Sequence, residues 1–230
     1  MSCILHIETS TTVCSVALSE DGQCIYHDED RSGQNHNERI GTFVDAALSF
    51  ADSHAIPLDA VAVSMGPGSY TGLRIGVSMA KGICYALNLP LVAVPTLALL
   101  AVPVLLRHDD LPADALLCPM IDARRMEVYS ALYDRALHTV REIRAEVVEP
   151  GAYDEMLARH PVYFFGDGAE KCKSVITHPN AHFIDNIQPL AKNMSPLAEK
   201  RLITRQTEDV AYFEPFYLKD FVAIKPRKTL

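Results

Sequence analysis

The chain carries the same order of predicted elements twice. Buried strands flank a hairpin turn at Asp21-Gly22, and three helices then alternate with two further strands. From about residue 116 the same βββαβαβα order begins again. Sliding the sequence against itself by 114 residues places Ile121 under Ile7 and Asp122 under Glu8. A repeated element order with matching positions predicts a duplicated α/β fold.

Two predicted units account for most of the chain. The first spans residues 1–110 and the second spans 111–210, with the boundary in the polar stretch HDDLPAD; residues 211–230 follow as a tail that we expect to be partly disordered. Apolar periodicity predicts helices at 36–53, 71–88, 96–107, 153–159, 169–176 and 196–206. Runs of alternating or buried character predict strands at 3–10, 12–19, 23–29, 60–64, 91–94, 116–122, 126–133, 138–148, 161–165 and 181–185.

Two such units facing each other form the architecture of actin, Hsp70 and the sugar kinases. This is the two-lobed actin-like ATPase (ASKHA) fold, in which each lobe is RNase H-like. In those proteins the first hairpin of each lobe carries an acidic residue that helps to hold metal and phosphate between the lobes. Glu8 and Asp122 occupy these two places in this sequence. The fold by itself does not imply that the chemistry is retained.

Composition excludes several classes of function. The net charge of −8 argues against a chain that binds nucleic acid alone, because phosphate contacts require a basic face. Six cysteines without a CxxC pair indicate mostly buried free thiols in a reducing compartment. The longest apolar run, 91–106, contains Pro95 and Pro103 and is too short to span a membrane. We therefore expect a cytoplasmic protein.

Four sequence stretches then resemble one family. They are IETSTTVCSVAL, MGPGSYTGLRIG, VPTLALLA and IDARRMEVY, all between Ile4 and Tyr133. Weaker similarity continues in FFGDGAEKC (164–172) and EPFYL (214–218). Together they resemble the bacterial TsaB (YeaZ) family of the glycoprotease-like superfamily.

The resemblance implies a role in making N6-threonylcarbamoyladenosine in tRNA. In that family TsaB is the non-catalytic partner that binds and activates TsaD, the paralogue that transfers the carbamoyl group, and the ATPase TsaE joins the complex. It implies no catalytic residues and no cofactor for the isolated chain, with ATP, metal and tRNA handled by the assembled complex. It also implies a homodimer when TsaD is absent.

We expect the metal and phosphate site between the two lobes to be vestigial in this chain. Its candidate phosphate or nucleotide residues are Glu8, Thr9, Ser10, Thr11, Asp122, Gly166 and Gly168. Asp is usual in the family where Glu8 stands, and bulky residues follow Asp122 where close backbone approach would be needed. TsaD-like proteins bind metal with an HxxxH pair. In this sequence Ile40 stands four residues after His36, in the place of the second histidine, so we expect no metal.

Two other functions stay open at this point. An ATP-dependent phosphotransferase of the same fold would use Glu8, Asp122 and the glycine turns. An autonomous tRNA-binding module would retain tRNA in a salt-sensitive way. The Gly66-Pro67-Gly68 turn before the second helix lacks the Lys-Ser or Lys-Thr of a P-loop, which favours a structural turn with Ser69 or Thr71 as helix cap.

The second helix predicts a surface for another polypeptide. Gly72, Gly76 and Ala80 recur every four residues and make a smooth stripe, with apolar residues on either side. Either the helix is buried between layers of its own fold, or it packs on a helix of a partner; we expect the partner. The expected interface residues are Ile40, Phe43, Val44, Ala47, Gly72, Gly76, Met79, Ala80 and Ile83. On this hypothesis Gly76→Leu abolishes pairing while the monomer stays folded.

Overall fold

The structure is a computed structural model that describes residues 2–33 and 36–219, with only the backbone given for His36 and Asn37. Residues 34 and 35, just before the first predicted helix, and the part of the predicted tail from residue 220 onward therefore lie outside the described residues. The first sheet contains β1 (Cys3–Glu8), β2 (Cys14–Glu20), β3 (Gln23–Asp30), β4 (Ala60–Gly66) and β5 (Leu91–Pro95).

The second sheet repeats the first. It contains β6 (Leu116–Asp122), β7 (Glu127–Tyr133), β8 (Thr139–Val147), β9 (Val162–Phe165) and β10 (Ala181–Ile184). The strand orders are β3-β2-β1-β4-β5 and β8-β7-β6-β9-β10. In each sheet the first three strands are antiparallel and the last two are parallel additions beside the first strand. This matching topology confirms the predicted duplicated α/β fold.

The helices follow the predicted pattern closely in the first half and less closely in the second. They are α1 (His36–Ser53), α2 (Tyr70–Leu87), α3 (Thr96–Arg107), α4 (Asp154–Leu157) and α5 (Ser195–Ile203). Ser69 caps α2, since its Oγ accepts the Gly72 N–H at 3.3 Å. The helix predicted at 169–176 is wrong: only a 3-10 turn forms, at Glu170–Cys172. Adjacent β-branched residues and a proline close behind that segment oppose a longer helix.

The last helix of each half packs on the sheet of the other half. Leu97, Leu100 and Val104 of α3 join a buried cluster with residues of β6, β7 and β9. Ala198 of α5, together with Met194, packs against β1, β4 and β5 of the first sheet. Helices α3 and α5 thus join the apolar cores of the two halves. The unit boundaries taken from the sequence stay a prediction, because a cut near residue 110 separates α5 from the sheet that it covers.

The segment that follows α5 returns along α2. The Glu208 N–H donates to the Leu91 carbonyl oxygen at 2.9 Å, and the Phe216 N–H donates to that of Met65 at 2.7 Å. Between these points Lys81 Nζ donates to the carbonyl oxygens of Ala211 and Phe213, at 3.1 and 2.9 Å. Residues 208–217, called the C-terminal segment below, are therefore bound to the first sheet and to α2. Among the described residues, no helix has the length and apolar character to cross a membrane.

Candidate functional sites

The first loop, residues 8–12, is buried inside the fold. Glu8 ends β1 and is fully buried, and its Oε1 accepts the Ser10 N–H at 2.6 Å. Burial raises the pKa of Glu8 to about 7, because the charged carboxylate loses its hydration; hydrogen bonds from Ser10 and proximity to Ser64 offset part of that rise. Within the described chain, Glu8 Oε2 and the Ser10 and Ser64 hydroxyls form no hydrogen bond of good geometry.

The start of α2 covers this loop. Thr9 Oγ1 donates to the Gly72 carbonyl oxygen at 2.7 Å, and the Ser69 N–H donates to that of Ser10 at 2.7 Å. A Cβ atom at Gly72 would lie closer than 3.0 Å to the Thr9 carbonyl oxygen, and one at Gly68 equally close to that of Ser10. The glycines therefore bring the helix onto the loop. Backbone groups that could have faced a phosphate contact the chain's own helix instead.

The smooth stripe of α2 faces inward, which corrects the expectation that it meets a partner. Gly72, Gly76 and Ala80 are all buried, and a Cβ at Gly76 would lie closer than 3.0 Å to Thr9 Oγ1. Small residues are needed there because β1 and its loop lie directly beneath. Gly76→Leu is therefore expected to disturb the fold of the monomer, and its effect on pairing stays a prediction.

The second loop differs from its counterpart in its exposure. Asp122 ends β6 at the surface, forms an ion pair with Lys171, and its Oδ1 accepts the Arg124 N–H at 2.9 Å. Lys171 Nζ also donates to the Glu127 carbonyl oxygen at 2.6 Å. Arg124 and Arg125 both have positive φ and close a tight turn. A lysine therefore neutralises the carboxylate that the sequence places opposite Glu8.

The glycine pair at 166 and 168 lies against the backbone of β6. A Cβ atom at Gly166 would come closer than 3.0 Å to the Met120 carbonyl oxygen, and one at Gly168 would lie 2.9 Å from the Ile121 carbonyl carbon. Gly166 also has a φ of +101°, a conformation that glycine adopts without strain. Close packing of the turn after β9 against β6 thus requires both glycines. Their role as a nucleotide site stays a prediction.

Metal-ligating side chains are dispersed in the described part of the chain. There, no group of three or more His, Cys, Asp or Glu residues is placed to hold a metal ion. The His36 side chain, which the sequence places in the position of the first metal-ligating histidine, lies outside the described atoms. Ile40, in the second position, is buried in the core of the first half.

An open groove lies on the outer face of α2 beside α1. It encloses about 660 Å³, and its lining is apolar except for one arginine and one serine. The lining residues are Ile40, Arg74, Ile75, Ser78, Met79, Gly82, Ile83 and Ala86. Three of the expected interface residues, Ile40, Met79 and Ile83, belong to this lining. An apolar groove between helices is the kind of surface that accepts a further helix.

The other expected interface residues lie elsewhere. Val44 and Ala47 are buried core residues on the inner side of α1, and Phe43 packs partly against the same cluster. Sequence reasoning missed Ile75, Gly82 and Ala86. Their spacing, combined with Met79 and Ile83, traces a second apolar stripe on α2. That stripe could have been found by asking which residues remain once the glycine face is assigned to the interior.

In the groove lining, Arg74 contacts Tyr70, which is itself packed against a second tyrosine. Its Nη1 donates to the Tyr70 hydroxyl at 3.1 Å, and its guanidinium carbon lies 5.4 Å from the centre of the Tyr70 ring. The Tyr217 ring packs against the Tyr70 ring with 4.7 Å between centres. Tyr217 belongs to the C-terminal segment, so the end of the chain supports a side chain near the start of α2. Sequence spacing gave no sign of this contact.

Comparisons with known proteins agree with this architecture. A family model described as TsaD, tRNA N6-adenosine threonylcarbamoyltransferase, matches residues 30–226. The tRNA threonylcarbamoyladenosine biosynthesis protein TsaB of Escherichia coli is 31% identical over 96% of this chain and 96% of its own length. The protein of the same name from Bacillus subtilis is 34% identical over 75% of this chain and 74% of its own. This chain belongs to the TsaB (YeaZ) family. The resemblance seen in the sequence is thereby confirmed.

Solved structures support the same placement of this TsaB family member. YeaZ from Pseudomonas aeruginosa superimposes with a TM-score of 0.77 at 26% identity, covering 95% of this chain and 100% of that one. More distantly, an activator of 2-hydroxyisocaproyl-CoA dehydratase from Clostridium difficile matches with a TM-score of 0.51 at 8% identity, over 90% of this chain and 99% of that one. At that identity only the fold is shared. The actin-like, two-lobed α/β fold expected from the sequence is confirmed.

Proposed function

We propose that this chain is a non-catalytic subunit of the machinery that makes N6-threonylcarbamoyladenosine in tRNA. In this role it binds a TsaD-type transferase and holds it in an active conformation. Its own contribution is a surface, and the groove between α1 and α2 is that surface. Membership of the TsaB family supports the pathway, because curated relatives are named for tRNA threonylcarbamoyladenosine biosynthesis.

The groove is the observation that carries the proposal. Half-buried side chains of Ile75, Met79 and Ile83 form the apolar floor of the groove. Exposed apolar grooves of this kind mark protein interaction sites. A partner helix that covers this floor would remove apolar surface from water, which is the main favourable term in association.

The state of the two loops supports an accessory role over phosphotransfer. A phosphotransferase needs backbone donors and carboxylates that face its ligand. Here the first loop is packed beneath α2, with Glu8 fully buried. Asp122 in the second loop is already paired with Lys171. Isothermal calorimetry with Mg-ATP on the isolated chain tests this reading, and micromolar binding that is lost in Glu8→Ala would favour the phosphotransferase.

The remaining parts of the proposal concern the assembly. ATP, metal and tRNA are handled by the complex with TsaD and the ATPase TsaE, in the cytoplasm. The net charge of −8 favours tRNA contact through partners rather than through this chain alone. Without TsaD the same groove supports a homodimer. Mass measurement of the chain with and without TsaD tests both states.

Two glycines offer a matched experiment on the groove. Gly82 lies in the groove lining, and Gly41 lies on α1 outside that lining; a Cβ at either position meets nothing within 4 Å. Gly82→Glu places bulk and charge in the groove, and Gly41→Glu places the same group beside it. We expect Gly82→Glu to weaken TsaD binding by about a hundredfold. It should also remove the stimulation of threonylcarbamoyl transfer.

Gly41→Glu should keep both properties, and both variants should melt near the wild-type temperature because neither clashes within the fold. Titration by biolayer interferometry and a transfer assay with purified TsaD supply the measurements. A Gly82→Glu chain that binds and stimulates TsaD like wild type contradicts the proposed surface.

A further inference from the structure

Arg74 gives the described part of the groove its charge. Among the described residues that line the groove, Arg74 alone is charged, and none is acidic. An apolar lining with a single cation is complementary to an apolar helix that presents one carboxylate. The inference developed from this feature rests on the proposed function, because it concerns the partner of the same groove.

Arg74 is held in place before any partner binds. The Tyr70 hydroxyl accepts its N–H, the Tyr70 ring lies beneath its guanidinium, and Tyr217 packs against that ring. Fixing a long side chain in advance reduces the entropy lost on binding. Within residues 2–33 and 36–219, Arg74 forms no ion pair, and its side chain is exposed. No carboxylate of the described residues therefore neutralises its charge.

A second copy of this chain meets the groove less well. Pairing around a two-fold axis presents the same surface to itself, so each lining faces an identical lining. A second copy can still cover the apolar floor, but its described lining residues offer no carboxylate to Arg74. A partner of different sequence can supply one, which favours such a partner for the contact with Arg74.

We infer that Arg74 is a specificity residue that selects a helix of the TsaD-type partner carrying an Asp or Glu opposite it. The guanidinium pairs with that carboxylate at the rim while the apolar floor receives the rest of the helix. Tyr70 and Tyr217 act as positioning residues for the guanidinium. The C-terminal segment, through Tyr217, thereby contributes to recognition by α2.

The test compares Arg74→Gln with Arg107→Gln, which removes one positive charge at the end of α3 and outside the groove. Affinity for TsaD is measured between about 0.05 and 0.5 M salt, a range over which exposed ion pairs are screened. We expect Arg74→Gln to bind TsaD about tenfold more weakly at low salt and to lose most of the salt dependence. Arg107→Gln should match wild type. Self-association of Arg74→Gln, measured by sedimentation, should equal or exceed that of wild type.

A charge exchange and a positioning variant complete the test. Arg74→Glu should recover binding when the facing acidic residue of TsaD is replaced by Lys. Tyr217→Ala should weaken TsaD binding about threefold in the wild-type background and have no further effect in Arg74→Gln. A full effect of Tyr217→Ala in the Arg74→Gln background overturns the positioning role.

Two outcomes overturn the main inference while leaving the proposed function standing. One is an Arg74→Gln chain that binds TsaD with wild-type affinity and salt dependence while Gly82→Glu still prevents binding. The other is a loss of self-association in Arg74→Gln as large as its loss of TsaD binding, which assigns the carboxylate to a second copy. If Gly82→Glu also binds normally, the groove itself is not the interface and the proposed function fails.

Discussion

The loops that end β1 and β6 occupy equivalent places in the two halves and have opposite environments. Glu8 is fully buried beneath α2, and its carboxylate accepts a hydrogen bond from the backbone of its own loop. Asp122 is exposed and paired with Lys171. Both residues end the central strand of a five-stranded sheet, and the two sheets have the same strand order. Topology was therefore conserved between the halves while the surroundings of the two carboxylates diverged.

The difference arises from what covers each loop. In the first half an 18-residue helix begins directly over residues 8–12, and its glycines allow contact between backbones. In the second half the corresponding turn after β9 is a short 3-10 segment that leaves Asp122 at the surface. The loop that ends the first strand is thus part of the core in the first half and exposed at Asp122 in the second. The prediction with the largest effect tests this contact.

Gly72→Ala should destabilise the protein by about 4 kcal/mol, at the upper end for overpacking. The new Cβ would lie closer than 3.0 Å to the Thr9 carbonyl oxygen, which is backbone and has little freedom to move. Gly41→Ala is the control, because its Cβ meets nothing within 4 Å. Alanine in that helix should stabilise the protein by about 0.5–1 kcal/mol. Urea unfolding measures both, and equal stabilities would show that α2 does not press on the first loop.

The sequence predicted the elements of both halves better than the direction in which they face. Periodicity specifies which residues of α2 are apolar, and local chemistry specifies the Ser69 cap. Helix α2 has two apolar stripes, and only the position of β1 decides that the glycine stripe is internal. The same limit applies to α3 and α5. Each packs on the sheet of the other half, and this choice depends on three-dimensional packing.

The candidate site was predictable to a similar extent. Ile40, Met79 and Ile83 were identified from helical spacing and do line the groove. The support of Arg74 by Tyr217 links residues more than a hundred positions apart, and no local pattern encodes such a contact. Burial of Glu8 was equally hidden, since an acidic residue at a strand end is normally exposed.

The ionisation of Glu8 should make the stability of the fold depend on pH, which tests the burial of the first loop. Its pKa is raised from 4.5 to about 7 in the folded chain because burial disfavours the carboxylate. The folded state therefore binds this proton more tightly than the unfolded state does. The resulting stability is fully present below pH 4.5 and is lost as the pH rises through about 7. The loss amounts to about 3 kcal/mol, at 1.36 kcal/mol for each pKa unit.

Glu8→Gln should remove that loss, because the amide keeps an oxygen for the Ser10 N–H and cannot ionise. His6 opposes the trend in both proteins, since burial lowers its pKa to about 3 and it destabilises the fold as the pH falls. The measured quantity is accordingly the difference in unfolding free energy between variant and wild type from pH 4.5 to 8. It should rise in favour of Glu8→Gln by about 3 kcal/mol. Parallel curves would mean that Glu8 is hydrated in solution.

Asp122→Asn is the counterpart in the second half and should have the smallest effect, about 0.5 kcal/mol. Its side chain is 48% exposed, so water replaces much of what the ion pair provides. Lys171 keeps its bond to the Glu127 carbonyl oxygen, and the Asn oxygen still accepts the Arg124 N–H. Urea unfolding in low and high salt measures the difference, which should shrink as salt screens the pair. A loss of more than about 2 kcal/mol in unfolding free energy would exceed what an exposed ion pair contributes. It would mean that Asp122 matters to stability as much as the buried Glu8 does.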